Sequence, residues 1–317
     1  MRKRLFAFIK VFVSVALILI LLYLMRDKYD QIGKILKGAS VPVFGLAVAV
    51  YFAAIVLASL RIKLISAAQD IDATFPEMLS LNFIGYFFNN FLPSTIGGDV
   101  VKAYYLSSKA SGKMPAFTSI FLDRVIGLFT MVFMAFVAVF FAGADTVNNT
   151  VKHVIFGIVL AAMAVALFIF NRNFAKKFSG ILKIMKPLRD PLKKAYDTLN
   201  RYTSHRKLMG QSLAISVMSQ SLFFVSVAVL SVSIGHGIPL IEIFLRMPIV
   251  GTISLLPSIN GLGVREGATV VFFGPLIGKE NAFAVSILWL LMLFITSIIG
   301  GIIYAASPQF KVKLKKV

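Results

Sequence analysis

The chain has 317 residues, 58% hydrophobic and only 15% charged, with a mean hydropathy of +0.87 and a formal net charge of +20. A soluble domain of this size carries more charge, so a soluble enzyme is excluded; several apolar runs reach the ~20 residues that cross a bilayer as a helix. There is no Cys, which removes disulfides and Cys-ligated metals, and three scattered His (His153, His205, His236) argue against a His-ligated metal; no cofactor is expected.

Arg2, Lys3 and Arg4 precede an apolar run over 5–25. The run has no small-residue cleavage site behind it and reads as a span with its basic end in the cytoplasm. Residues 26–40 then lie outside, against the tendency of Arg26, Lys28, Lys34 and Lys37. A second span, 41–60, returns to Arg61 and Lys63 on the inside. Residues 73–92 are apolar with scattered polar positions, 100–108 form a short helix, and 115–142 form a long span carrying Asp123 and Arg124 near its start. The loop 143–150 has no Lys or Arg, and 151–170 spans again. Residues 171–207 hold eleven cations opposed only by Asp190 and Asp197. Apolar residues recur among these cations near helical spacing, which predicts amphipathic helices on the inner leaflet rather than a nucleic-acid patch. Residues 208–234 span. Residues 239–256 carry Glu242 and Arg246, 269–277 are a short apolar piece, and 281–306, with the only Trp (Trp289), form the last span. The tail holds Lys311, Lys313, Lys315 and Lys316.

Two interruptions share one grammar. Asn89-Asn90-Phe91-Leu92-Pro93-Ser94 leads to Gly97-Gly98-Asp99 and Lys102; Leu256-Pro257-Ser258 leads to Gly261, Gly263, Arg265 and Glu266. In both, a Gly follows the Pro by four residues and a charged residue follows it by nine. Pro and Gly break helices, and matched breaks in an apolar chain are the strongest sequence pointer to a transporter site.

Span parity sets their orientation. If 73–92 crossed fully, the eleven-cation loop would fall outside, against the positive-inside rule. If 73–113 enters and leaves from the cytoplasm, the basic loop is inside and the chargeless 143–150 loop outside. Residues 239–279 then enter and leave from outside, and both termini are cytoplasmic. The reading is an all-α polytopic membrane protein with about six full spans and two oppositely oriented broken, re-entrant helical hairpins in an inverted repeat. Its expected divisions are 1–40 (span and outer linker), 41–142 (first repeat unit), 143–207 (connecting span and basic loop), 208–306 (second repeat unit) and 307–317 (basic tail). The hairpins are expected to meet around a polar cavity, where non-helical backbone can be satisfied.

Asn90-Phe91-Leu92-Pro93 with Gly97-Gly98-Asp99, then Leu122-Asp123-Arg124-Val125-Ile126-Gly127, then Leu256-Pro257-Ser258, Gly261-Leu262-Gly263 and Arg265-Glu266 resemble the lysylphosphatidylglycerol synthase transmembrane-region family. The resemblance runs from about 41 to 306. It implies a lipid flippase-like protein of the cell membrane; the family's soluble aminoacyl-transferase domain has no counterpart here, so lysine transfer is not implied. Lys102 stands where the family pattern has Arg, which keeps charge and loses the bidentate fork.

Ionisable residues at membrane depth are functional candidates by default. Asp99, Arg265 and Glu266 follow glycine breaks, where helix N-termini favour an anion. Asp123 and Arg124 lie near a span end, where pairing or snorkelling is the alternative. Glu242 and Arg246, four apart, suit a pair on one helix face. Asn89 and Asn90 suit capping of broken backbone, with headgroup contact as the alternative. The candidate substrate-binding set is Asn90, Pro93, Gly97, Gly98, Asp99, Lys102, Asp123, Arg124, Arg246, Pro257, Gly261, Gly263, Arg265 and Glu266. The expected function is movement of an anionic phospholipid or polyprenyl-phosphate-linked lipid between leaflets. The alternatives are a membrane enzyme on a lipid-linked substrate, with Asp99 and Glu266 as acid and base, or an accessory subunit. Expected partners are membrane lipids, with a homo-oligomer or lipid-modifying enzyme as further partner classes and no nucleic acid.

Overall fold

A computed structural model describes residues 19–91, 97–141, 201–256, 258 and 260–307, with single positions at 15, 153, 156, 157, 159, 160, 164, 198 and 310. The expected spans 5–25 (in its first part) and 151–170 (in most of its length), the loop 143–150, nearly all of 171–200, and the tail from 311 lie outside these. Among the described residues the chain is all-helical, with nine complete α-helices: α1 Tyr29–Lys37, α2 Val41–Ala67, α3 Phe75–Phe91, α4 Gly97–Ser107, α5 Lys113–Phe141, α6 Arg206–Ser233, α7 Leu240–Ile253, α8 Val264–Ile277 and α9 Lys279–Ala306. Four of these, α2, α5, α6 and α9, are long and apolar enough to cross a membrane. They coincide with the expected spans 41–60, 115–142, 208–234 and 281–306.

Two boundaries differ from expectation for a physical reason. Residues 26–40, read as a linker, contain α1, because Ile32 and Leu36 fall four apart and pack with Met25, Val270, Phe283 and Ile287. The span expected to end at Leu60 continues to Ala67. Arg61 does not end it, because that cation is only 9% exposed and is matched by a carboxylate.

Spatially the chain forms two compact units. The first comprises Met1–Ile55, Ser80–Val101 and Ser221–Val317; the second comprises Val56–Leu79 and Lys102–Gln220. In the first unit α8 packs along α9, and α7 packs against α8. The Ser40 amide donates to the Ser233 carbonyl at 2.8 Å, joining the start of α2 to the end of α6. Helix α3 lies on α9 with almost no space between backbones. A Cβ on Gly300 would stand 1.9 Å from the Phe83 carbonyl oxygen, and Phe87 and Phe88 contact the Tyr304 ring.

In the second unit Thr74 and Glu77 start α3. The Thr74 amide donates to Glu77 Oε2 at 2.8 Å, as in a capping box, and Lys109 Nζ binds the other oxygen at 2.5 Å. Ile65, Ala68, Leu122, Ile126 and Tyr202 form a buried cluster. Tyr202 is bonded to Ser119 at 2.9 Å, and burial pushes its phenol well up, so it stays protonated as a neutral partner for that hydroxyl.

Candidate functional site

The two interruptions are built by local chemistry. Helix α3 ends at Phe91 and α4 begins at Gly97. Asn89 Oδ1 accepts the Gly98 amide at 2.8 Å, so the first helix caps the second. Gly98 also sits on Gly85: an added Cβ would lie 2.1 Å from the Gly85 carbonyl oxygen. Asp99, one residue on, is 7% exposed.

In the second interruption, Asn260, Gly261 and Gly263 have φ of 49°, 77° and 81°, left-handed backbone that Gly adopts without strain and Asn tolerates. They turn the chain into α8, where Glu266 Oε2 accepts the Gly263 amide at 2.6 Å. The same carboxylate, through Oε1, accepts Arg265 Nε at 3.1 Å and a second, shorter bond from Arg265 Nη2. Arg265 and Glu266 are 3% and 5% exposed. The Arg265 guanidinium lies 5.1 Å from the Trp289 ring centroid.

The two interruptions touch. Asn260 Nδ2 donates to Asn90 Oδ1, joining residues 170 apart in sequence. Within the first unit the fold therefore collects Asn90, Gly97, Gly98, Asp99, Gly261, Gly263, Arg265 and Glu266 on the two broken segments. Asn89 caps the start of α4, and Asn90 holds the other break. Arg246 takes the role expected of an i, i+4 partner: its Nε binds Glu242 Oε2 at 2.7 Å, while Nη1 reaches the Phe272 carbonyl at 2.9 Å and fastens α7 to α8. Pro93 and Pro257 lie outside the described residues.

Lys102, Asp123 and Arg124 belong to the second unit. There Asp123 accepts Arg61 Nε at 2.7 Å, and Arg61 Nη1 donates to Ser216 Oγ at 2.8 Å. The pair ties α2, α5 and α6 together, and Gly127 leaves room for it: a Cβ at 127 would lie 3.3 Å from Nη1. The geometry adds contacts of Arg61, Asn260 and Trp289 that the sequence does not pair. Arg61 carried a signal, a cation inside an otherwise continuous helical run. Trp289 carried none, because an indole in an apolar span reads as packing. No group of three or more His, Asp or Glu able to hold a metal occurs among the described residues.

Long apolar helices alternating with two interrupted, charge-bearing helix pairs define an all-helical membrane protein built around broken helices. The chain belongs to the family described as the lysylphosphatidylglycerol synthase TM region, whose model matches residues 8–301. It is similar to a UPF0104 membrane protein of Pyrococcus horikoshii, 24% identical, covering 96% of this chain and 98% of the relative. It is also similar to a UPF0104 membrane protein of Methanothermobacter thermautotrophicus, 25% identical over 73% of this chain and 75% of the relative. No solved structure matches.

Proposed function

We propose that this protein is a flippase-like transporter that moves an anionic lipid between the leaflets of the cell membrane, holding the headgroup phosphate at the two joined helix interruptions. The observation that carries this reading is the Asn260–Asn90 contact, which joins the two glycine breaks; one bears the buried Asp99 and the other the buried Arg265 and Glu266. Each break ends in a helix N-terminus, whose amides and dipole favour an anion. Arg265 supplies the cation, and Glu266 is its counter-ion when no phosphate is bound. The lipid tails stay in the bilayer, and the two broken pairs are re-entrant hairpins of opposite orientation in an inverted repeat, with both termini cytoplasmic.

The test is reconstitution of the purified chain in liposomes containing a headgroup-labelled anionic lipid, with a membrane-impermeant quencher outside. A transporter makes the inner-leaflet label accessible. Chemical alteration of the lipid would replace this reading with a membrane enzyme, and neither result would leave an accessory subunit.

A further inference from the structure

Trp289 is 5% exposed, yet its indole N–H has no hydrogen-bond partner among the described residues. A buried indole usually finds an acceptor, and an unmet donor is a cost that a phenyl ring of similar shape would avoid. Packing alone therefore does not explain an indole at this position. Its face does: the Arg265 guanidinium lies over it at 5.1 Å, and among aromatic side chains the indole is the strongest partner for a cation. Phe223 packs against the same indole, ring centroids 5.6 Å apart, and Tyr51 packs against Phe223 at 5.9 Å, so the plate is itself braced.

Resting on the proposed function above, we infer that Trp289 is the positioning residue of the anion site. The indole face holds the guanidinium flat while its donors exchange the Glu266 carboxylate for a phosphate. A planar fork fixed in orientation favours two-point recognition of a tetrahedral anion over a point charge, so the ligand class is a phosphodiester or phosphomonoester group. Glu266 cannot swing far, because it also holds the Gly263 amide at 2.6 Å. The exchange is therefore made by Arg265 turning on the ring rather than by Glu266 leaving.

Trp289 is the only Trp in the chain, so its emission reports this event directly. The purified full-length protein in detergent is titrated with short-chain phosphatidylglycerol, with inorganic phosphate, and with a short-chain neutral glyceride, and binding is measured in parallel by calorimetry. The expected result is a saturable emission change with phosphatidylglycerol, none with the neutral glyceride, and none with any ligand in Arg265→Gln. An equal response to inorganic phosphate supports the same role and assigns the site to the free anion. Trp289→Leu should weaken phosphatidylglycerol binding roughly tenfold, with Trp289→Phe between it and the parent, while thermal unfolding of the two variants stays matched. Arg265→Gln with full binding would overturn the anion site itself. Weakened binding in Arg265→Gln, with binding in Trp289→Leu equal to the parent, would overturn only the role of Trp289.

Discussion

Arg265 and Glu266 are 3% and 5% exposed, so each is the other's counter-ion where water cannot serve. Breaking such a buried pair from one side leaves an uncompensated charge, at a cost of about 3–5 kcal/mol. Glu266 has a second duty, the Gly263 amide, that an amide side chain can still perform. Glu266→Gln should therefore keep the α8 start and lose less stability than Glu266→Ala in detergent unfolding; equal losses would show that the cap contributes nothing. Under the proposed function Arg265 donates a charge-assisted bond to phosphate worth roughly 1.5–3 kcal/mol, so in Arg265→Gln lipid affinity should fall on the order of tenfold or more, with Arg265→Lys recovering part. Unchanged affinity in Arg265→Gln would reduce Arg265 and Glu266 to a structural pair. Arg61 and Asp123 invite a different experiment, because three helices meet there. Arg61→Leu alone should cost about 3–5 kcal/mol, and adding Asp123→Leu should return most of it. Additive losses in the double variant would mean that the two charges do not depend on each other.

At the scale of the helix, α3 is approached by backbone from two directions. Gly98 of α4 meets Gly85, and Gly300 of α9 meets the Phe83 carbonyl. A single methyl group at either position collides with main chain, which cannot rotate away as a side chain can. Gly98→Ala and Gly300→Ala should each lower thermal stability by an amount typical of overpacking, about 1–3 kcal/mol, and Gly98→Leu should abolish lipid movement while much of the protein still reaches the membrane. Gly45, in the apolar helix α2 with nothing within 4 Å of an added Cβ, is the control: Gly45→Ala should be neutral or stabilising by up to ~1 kcal/mol. Lipid movement at the parent rate by Gly98→Leu would mean that this break is an ordinary loop.

For the molecule as a whole, the topology prediction follows from charge: a tag at Lys186 should be reached only from the cytoplasm and one at Asn148 only from outside. Both tags reached from one side would end the inverted-repeat reading. The four long helices were legible because apolar length is a local property, and the two breaks because Pro and Gly act on their own backbone. Partnerships were not legible. Nothing in the sequence around Arg61 points to Asp123, and Asn90 meets Asn260 across 170 residues. Arg61 and Lys63 mark the edge of a span in the sequence because cations end an apolar run, whereas a buried carboxylate from α5 pairs with Arg61 and lets the helix continue. Nothing in the sequence points Trp289 at Arg265, because that contact depends on which face of α9 meets α8. The partition of the chain also has a consequence for its birth. The second compact unit is complete once Gln220 has been made, whereas the first also needs Ser221–Val317. At ribosomal speeds of roughly 5–20 residues per second, α9 is finished on the order of 5–15 s after Gln220. Throughout that interval α3 has been synthesised without the glycine-lined helix that lies against its carbonyls. Among the described helices α9 is thus the one that closes the first unit, and a nascent chain arrested before it would hold Arg265 without Trp289.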